Sequence, residues 1–391
     1  MTARQLRVLV LAGLAVLLVS FDSSVLVLAL PAIAAELHSS VPALTELGSA
    51  LALGSLAALP LSMLADRLGR RLVLAAAVAG FSAANIASAA APTLAWLTAA
   101  RVVAVCFETV AASVATALVI EEVSEARRGL AVAAITVMAG AGTGMTTLLY
   151  PLLAPRWRLL YLVGSAGLIA ALLLARMLPE SRAWTAVAIA QKRHFAARLL
   201  LTPPWRKRLL VVGLAAALGS LLFQPAGLLV ALFASRQLGL GPAAISVVVV
   251  VSGLASIPAF PIGGALSDRL GRRTVAVVLS GLTACFAAAS FSGSSAGYWA
   301  GNVIWSILAS AASPALGAWY GELFPTRARA TSESAGTAAA ALGGVVGFQL
   351  VGALQPHLGL GPSLMAMAAG ALVGALLLLA LPETRGEPLP A

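Results

Sequence analysis

The sequence predicts an all-α membrane protein with twelve transmembrane helices in two homologous six-helix bundles. Its composition, its spacing of apolar runs and an internal repeat all point there. Of the 391 residues, 60% are hydrophobic and 10% charged, against roughly 45–50% and about 25% in soluble domains. Mean hydropathy is +0.98, which leaves too little polar surface to coat a globule, so lipid must be the solvent for most of the chain. This excludes a soluble enzyme, a secreted disulfide scaffold and a disordered regulator.

Taken in order, the apolar runs fall at 8–30, 46–65, 72–91, 94–119, 130–153, 159–178, 209–234, 243–266, 274–292, 298–320, 332–354 and 362–381. The first follows Arg4 and Arg7 as a signal peptide would, but its apolar stretch is too long and a later segment repeats it, so it reads as a span. The second and third meet at Asp66-Arg67-Leu68-Gly69-Arg70-Arg71. The fourth carries Arg101 and Glu108, and the fifth and sixth are parted by Pro155, Arg156 and Arg158. The remaining six repeat this plan. Twelve spans of about 20 residues use roughly 240, leaving about 150 for connections and tails. The expected organisation is a bundle over 1–178, a linker over 179–208 and a bundle over 209–391. The linker is basic, with Trp184 and Trp205 near its ends, which suits an interfacial helix or a solvated connection.

The net charge of +11 comes from 25 Lys+Arg and 14 Asp+Glu. No stretch between spans is long enough to fold as a basic domain, so nucleic acid is not an expected partner and the charge reads as topology. With the N-terminus inside, the cytoplasmic segments hold 21 Lys and Arg, the outer loops hold Arg156, Arg158 and Arg236, and Arg101 lies within a span. Both termini are therefore expected in the cytoplasm, in a multi-pass cell (plasma) membrane protein. Cys106 and Cys285 lie in apolar runs without a close Cys or His, and no metal ligand set or cofactor motif is seen.

The repeat fixes the architecture. Asp66-Arg67-Leu68-Gly69-Arg70-Arg71 returns as Asp268-Arg269-Leu270-Gly271-Arg272-Arg273, displaced by 202. Glu121, Arg128 and Gly129 return as Glu322, Arg329 and Ala330, and Pro179-Glu180-Ser181-Arg182 returns as Pro382-Glu383-Thr384-Arg385. Phe21-Asp22 falls on Phe223-Gln224. Motifs in one order at one spacing mean two halves of six spans, and because six is even the halves share one orientation.

Asp22, Arg101, Glu108 and, more peripherally, Glu333 are the charges inside apolar runs. An ionised group at mid-membrane costs at least about 2.5–3.5 kcal/mol, so such residues face a cavity or a partner. Arg101 and Glu108 are seven apart and project from one stripe of their helix. A carboxylate that binds and releases a proton beside a guanidinium changes its affinity whenever either group moves, which couples protonation to motion. A static ion pair is the alternative, yet Gln224 and Asn302 stand at the repeat positions of Asp22 and Arg101. An architectural pair would be expected in both halves.

Twelve spans in two halves, with Asp-Arg-Leu-Gly-Arg-Arg after spans 2 and 8, resemble the major facilitator superfamily over the whole chain. Arg101, Glu121, Arg128-Gly129, Pro179-Glu180-Ser181-Arg182, Glu322-Leu323-Phe324-Pro325-Thr326-Arg327 and Pro382-Glu383-Thr384-Arg385-Gly386 resemble the sugar-porter branch and related metabolite and aromatic-acid proton symporters. The resemblance implies that Asp22 and Arg101 form a proton-coupling pair; Glu108, which has no counterpart in the family, is read from its place on the Arg101 stripe as a second titratable or solute-contacting group. It implies that Asp66, Arg70, Glu121 and Arg128, with Asp268, Arg272, Glu322 and Arg329, form a conformational latch at the cytoplasmic helix ends. Helices 1, 4, 7 and 10 would line the solute cavity, with Gln224, Asn302 and Trp305 as wall residues.

The chain departs from that branch where Pro225 replaces the second Gln of span 7, where Gly317 replaces a Trp of span 10, and where Ser62 replaces a Gly before the first motif. The expected activity is secondary transport of a small organic solute by alternating access, coupled to protons as a symporter. A drug/proton antiporter is the alternative, disfavoured by Gly140-Ala141-Gly142-Thr143-Gly144 in span 5, which lacks that group's Gly-Pro pattern. A transporter-like sensor is a third. An enzyme is not expected, since no nucleophile–base pair or phosphate loop is seen. The expected partners are a small organic solute, protons and membrane lipids, and the expected functional unit is a monomer.

Overall fold

The computed structural model describes residues 2–62, 64–123, 127–181, 197–325 and 328–386, without the side chains of Asp66, Arg128, Gly129, Ala197, Arg198 and Ala330. Most of the linker in which an interfacial helix was considered lies outside these residues. Among the described residues, twelve spanning elements follow one another. They are α1 (Ala3–Glu36), α2 (Val41–Ser62), α3 (Arg70–Ala89), α4 (Leu94–Glu122), α5 (Arg128–Leu153) and α6 (Trp157–Gly164 with Gly167–Met177), then α7 (Trp205–Leu238), α8 (Pro242–Ser256 with Ala259–Leu270), α9 (Arg272–Ala289), α10 (Ser295–Leu323), α11 (Arg329–Leu358) and α12 (Leu360–Ala380). The apolar stretch Leu130–Met177 is 48 residues long, or about 72 Å as one helix, over twice the hydrocarbon thickness. A 3₁₀ turn at Ala154–Arg156 divides it into two spans. The two parts of α8 meet at a 41° bend at Ile257-Pro258, where proline interrupts the helical ladder.

Local chemistry sets the helix starts. The Thr2 hydroxyl accepts from the Gln5 N–H while the Gln5 side chain returns the bond to the Thr2 N–H, a reciprocal cap on α1. Thr93 caps α4 and Ser294 caps α10, at matching points of the repeat. Gly69 and Gly271 have φ of 96° and 100°, values that disfavour any residue with a Cβ. These two glycines make the tight corners before α3 and α9.

The chain forms two compact units, residues 1–39 with 53–193 and residues 40–52 with 194–391. In the first, α1 packs on α5, α3 on α4, and α6 on α3 and α1; in the second, α7 packs on α11, α9 on α10, and α12 on α7 and α9. The closest approaches also repeat. A Cβ at Gly142 of α5 would collide with the Leu17 carbonyl of α1, and a Cβ at Gly343 of α11 would collide with the Ala217 carbonyl of α7. Between apolar helices in lipid, such close contact replaces the hydrophobic effect as the source of cohesion.

Candidate functional site: a buried charge cluster in the first unit

Asp22 of α1 and Arg101 of α4 are fully buried, and Glu108 is 4% exposed. Arg101 Nη1 lies 3.1 and 3.2 Å from the two Asp22 carboxylate oxygens, and Nη2 lies 3.2 Å from Asp22 Oδ2. The same Nη2 donates to Glu108 Oε1 at 2.8 Å. One guanidinium therefore holds two carboxylates, brought together because Arg101 and Glu108 share a helix stripe that faces Asp22.

Three further residues complete the cluster. Asn85 of α3 accepts from Arg101 Nη1 at 2.9 Å, and the Ser23 hydroxyl donates to Glu108 Oε2 at 2.6 Å. The Tyr161 ring of α6 lies 5.1 Å from the guanidinium carbon, close enough for a cation–π contact. Gly164 of α6 makes room for this set, since a Cβ there would fall 2.7 Å from Asn85 Nδ2. None of Asn85, Ser23 and Tyr161 stood out in the sequence, where an uncharged polar residue in an apolar run carries no signal of its partner. With both carboxylates ionised the cluster has one excess negative charge, and one bound proton would neutralise it.

The counterpart positions in the second unit are uncharged and differently used. Gln224 Nε2 donates to the Ala340 carbonyl of α11 at 3.0 Å, and the buried Asn302 donates within its own helix to the Tyr298 carbonyl at 2.8 Å. Trp305 lies with its ring 6.3 Å from that of Phe223.

The helix-end motifs form their own networks. Arg70 pairs with Glu121 at 3.0 Å, and Ser181 donates to Glu121 at 2.6 Å. In the second unit Arg272 lies 3.4 Å from Glu322 and 2.6 Å from Asp268, and Thr384 donates to Glu322 at 2.5 Å. The expected latch residues Asp66 and Arg128 have side chains outside the described set. Arg329 Nε and Nη2 are buried without a hydrogen-bond partner among the described residues.

The repeated Pro-Glu motif, to which the sequence assigned no role, supplies a carboxylate at each glycine corner. Glu180 accepts from the Arg70 and Arg71 N–H groups at 2.7 and 3.2 Å. Glu383 accepts from those of Arg272 and Arg273 at 2.9 and 3.0 Å, satisfying helix-start donors and complementing the dipole.

Solved structures share this architecture. A D-xylose–proton symporter is 17% identical with a TM-score of 0.79, over 99% of this chain and 100% of that one. A bacterial homologue of the human lysosomal transporter Spinster, inward-facing and unoccupied, is 18% identical with a TM-score of 0.76, over 97% of each chain. A nucleoside transporter is 13% identical with a TM-score of 0.78, over 96% of this chain and 99% of that one. No curated protein sequence matches significantly. The sequence profile of the Major Facilitator Superfamily matches residues 12–232 and 212–391, which together cover both halves of the repeat. These are transporters rather than enzymes, and with two repeated six-span halves and a family profile matched across both, the chain belongs to the Major Facilitator Superfamily of multi-pass membrane transporters.

Proposed function

We propose that the protein is a proton-coupled symporter that carries a small organic solute across the cell (plasma) membrane by alternating access, as a monomer with both termini in the cytoplasm. The observation that supports this most directly is the buried Asp22–Arg101–Glu108 cluster, in which one cation faces two carboxylates. A proton taken up there removes the excess charge, and its release restores it, so proton binding and helix rearrangement are energetically linked. Confinement of these charges to one half favours a working site over a scaffold pair, since the second half is built without them. In this reading Gln224, Asn302 and Trp305 belong to the solute wall. Asp66, Arg70, Glu121 and Arg128, with Asp268, Arg272, Glu322 and Arg329, form the latch that biases one resting state.

The test is a pH-dye assay in proteoliposomes of the full chain, with sugars, nucleosides, aromatic acids and dicarboxylates added in turn. A transported solute should carry protons with it in the wild type. Asp22→Asn, a fixed mimic of the protonated form, should abolish proton-driven accumulation while leaving counterflow of that solute intact. Accumulation that survives in Asp22→Asn would remove Asp22 from the coupling and leave Glu108 as the next carboxylate to replace, and its survival in Asp22→Asn with Glu108→Gln would remove proton coupling from this site.

A further inference from the structure

The second unit contains a cationic cavity that transport by the buried cluster does not use. Its volume is about 420 Å³, and it is lined by Pro204, Lys207 and Arg208 at the start of α7, Arg273 at the start of α9, and Leu379 to Pro382 at the end of α12. Among the described residues no carboxylate lines it. Arg208 is steered by a 2.8 Å bond from Nη1 to the Leu323 carbonyl and lies 4.9 Å from the Trp205 ring. Arg273 donates from Nη1 to the Leu381 carbonyl at 3.3 Å. Lys207 has no hydrogen bond or ion pair among the described residues. Glu383, next in sequence to the lining Pro382, is taken up by the backbone N–H groups of Arg272, Arg273, Thr384 and Arg385.

The repeat shows that the fold does not require this charge. At the matching corner of the first unit, Gln5 donates to the Glu122 carbonyl at 3.0 Å, as Arg208 does to Leu323, and the Glu122 carboxylate neutralises Arg4 at 3.1 Å. Leu323 stands at the repeat position of Glu122, so the second corner has cations and an apolar residue where the first has its acid. Three cations around one cavity repel one another, and an anion placed among them relieves that repulsion. The wall also includes Leu379, 51% exposed at the end of the last span. A cationic cavity that opens beside exposed apolar surface at a helix end, next to the half-buried Trp205, matches the headgroup of an anionic lipid rather than a soluble anion.

We propose that this cavity binds the phosphate of an anionic phospholipid, held by Lys207, Arg208 and Arg273, with an acyl chain against Leu379. The test is native mass spectrometry of the full-length, delipidated protein titrated with phosphatidylglycerol, phosphatidylcholine or inorganic phosphate. Phosphatidylglycerol should be retained over phosphatidylcholine. Lys207→Gln should weaken it about fivefold and Lys207→Gln with Arg273→Gln about 25-fold, at the usual contribution per basic residue near a membrane. Arg206→Gln, an equal charge loss on an exposed neighbour that does not line the cavity, should change retention less than twofold. Because Lys207 makes no hydrogen bond or ion pair among the described residues, its replacement should leave the unfolding temperature unchanged, which keeps the result interpretable. An equal effect of Arg206→Gln would reduce the site to diffuse surface charge. Displacement of the lipid by equimolar inorganic phosphate would make it a soluble-anion site, and an unchanged Lys207→Gln would remove it altogether.

Discussion

Replacing Arg101 by Gln tests whether the buried cluster is one electrostatic unit. The guanidinium makes four hydrogen bonds of 2.8–3.2 Å to Asp22 and Glu108, all from nearly inaccessible side chains. Removing it leaves two carboxylates without a cation, and breaking a buried pair from one side costs about 3–5 kcal/mol. For a six-helix unit of this size each kcal/mol lowers the unfolding midpoint by roughly 2–4 °C, so Arg101→Gln should lose about 10 °C. Glu108→Gln differs in kind, because it leaves one cation opposite one carboxylate and keeps groups able to bond to Arg101 and Ser23. It should cost less than about 1.5 kcal/mol. The combined variant Asp22→Asn, Arg101→Gln, Glu108→Gln removes every charge and should recover most of the loss, since uncharged groups need no counter-ion. Thermal unfolding followed by the seven tryptophans in one detergent orders the variants. A triple variant no more stable than Arg101→Gln alone would refute the charge-balance argument and reduce Arg101 to a packing residue.

Gly142→Ala should destabilise the protein by about 1–3 kcal/mol, because the new Cβ collides with the Leu17 carbonyl and forces α1 from α5. Gly140→Ala, with no heavy atom within 4 Å of its Cβ position, should be neutral or slightly stabilising in the same thermal assay. Partial burial pushes the Glu383 carboxyl up, but four backbone N–H bonds outweigh it and hold the group below its ordinary value of 4.5. Its folded value is therefore depressed, so its contribution is complete above 4.5 and is lost as pH falls through the folded value. Glu383→Gln should lower the unfolding temperature at pH 7 and flatten its decline below pH 4.5; an acid limb identical to wild type would exclude Glu383 from that decline.

Much of this was legible in one dimension. Apolar runs and basic loops locate the spans because lipid permits no other reading of them, and the repeat needs only self-comparison. Asp22, Arg101 and Glu108 stand out because charge is expensive in a span, and a spacing of seven puts Arg101 and Glu108 on one stripe. Asn85, Ser23 and Tyr161 were not legible, since small polar and aromatic residues are affordable in lipid and their meaning depends on a partner far along the chain. Glu180 was visible as a repeated motif, yet its role at the Gly69 corner appears only when the end of α6 folds back over a separation of 110 residues. The bend of α8 was hidden for another reason: a proline in an apolar run can kink a helix or end it, and only packing decides.

The confinement of the charge cluster to α1 and α4 bears on how the chain is made. Asp22 leaves the ribosome 79 residues before Arg101, which at 5–20 residues per second is roughly 4–16 s. During that interval α1 must hold a carboxyl group in or beside the bilayer without its guanidinium, and α4 then arrives with two charges of its own. Stable burial of these charges in the first half should therefore depend on α4 meeting α1, a demand that Gln224 and Asn302 do not place on α7 and α10. Errors of membrane insertion should then concentrate in the half that carries the charge cluster.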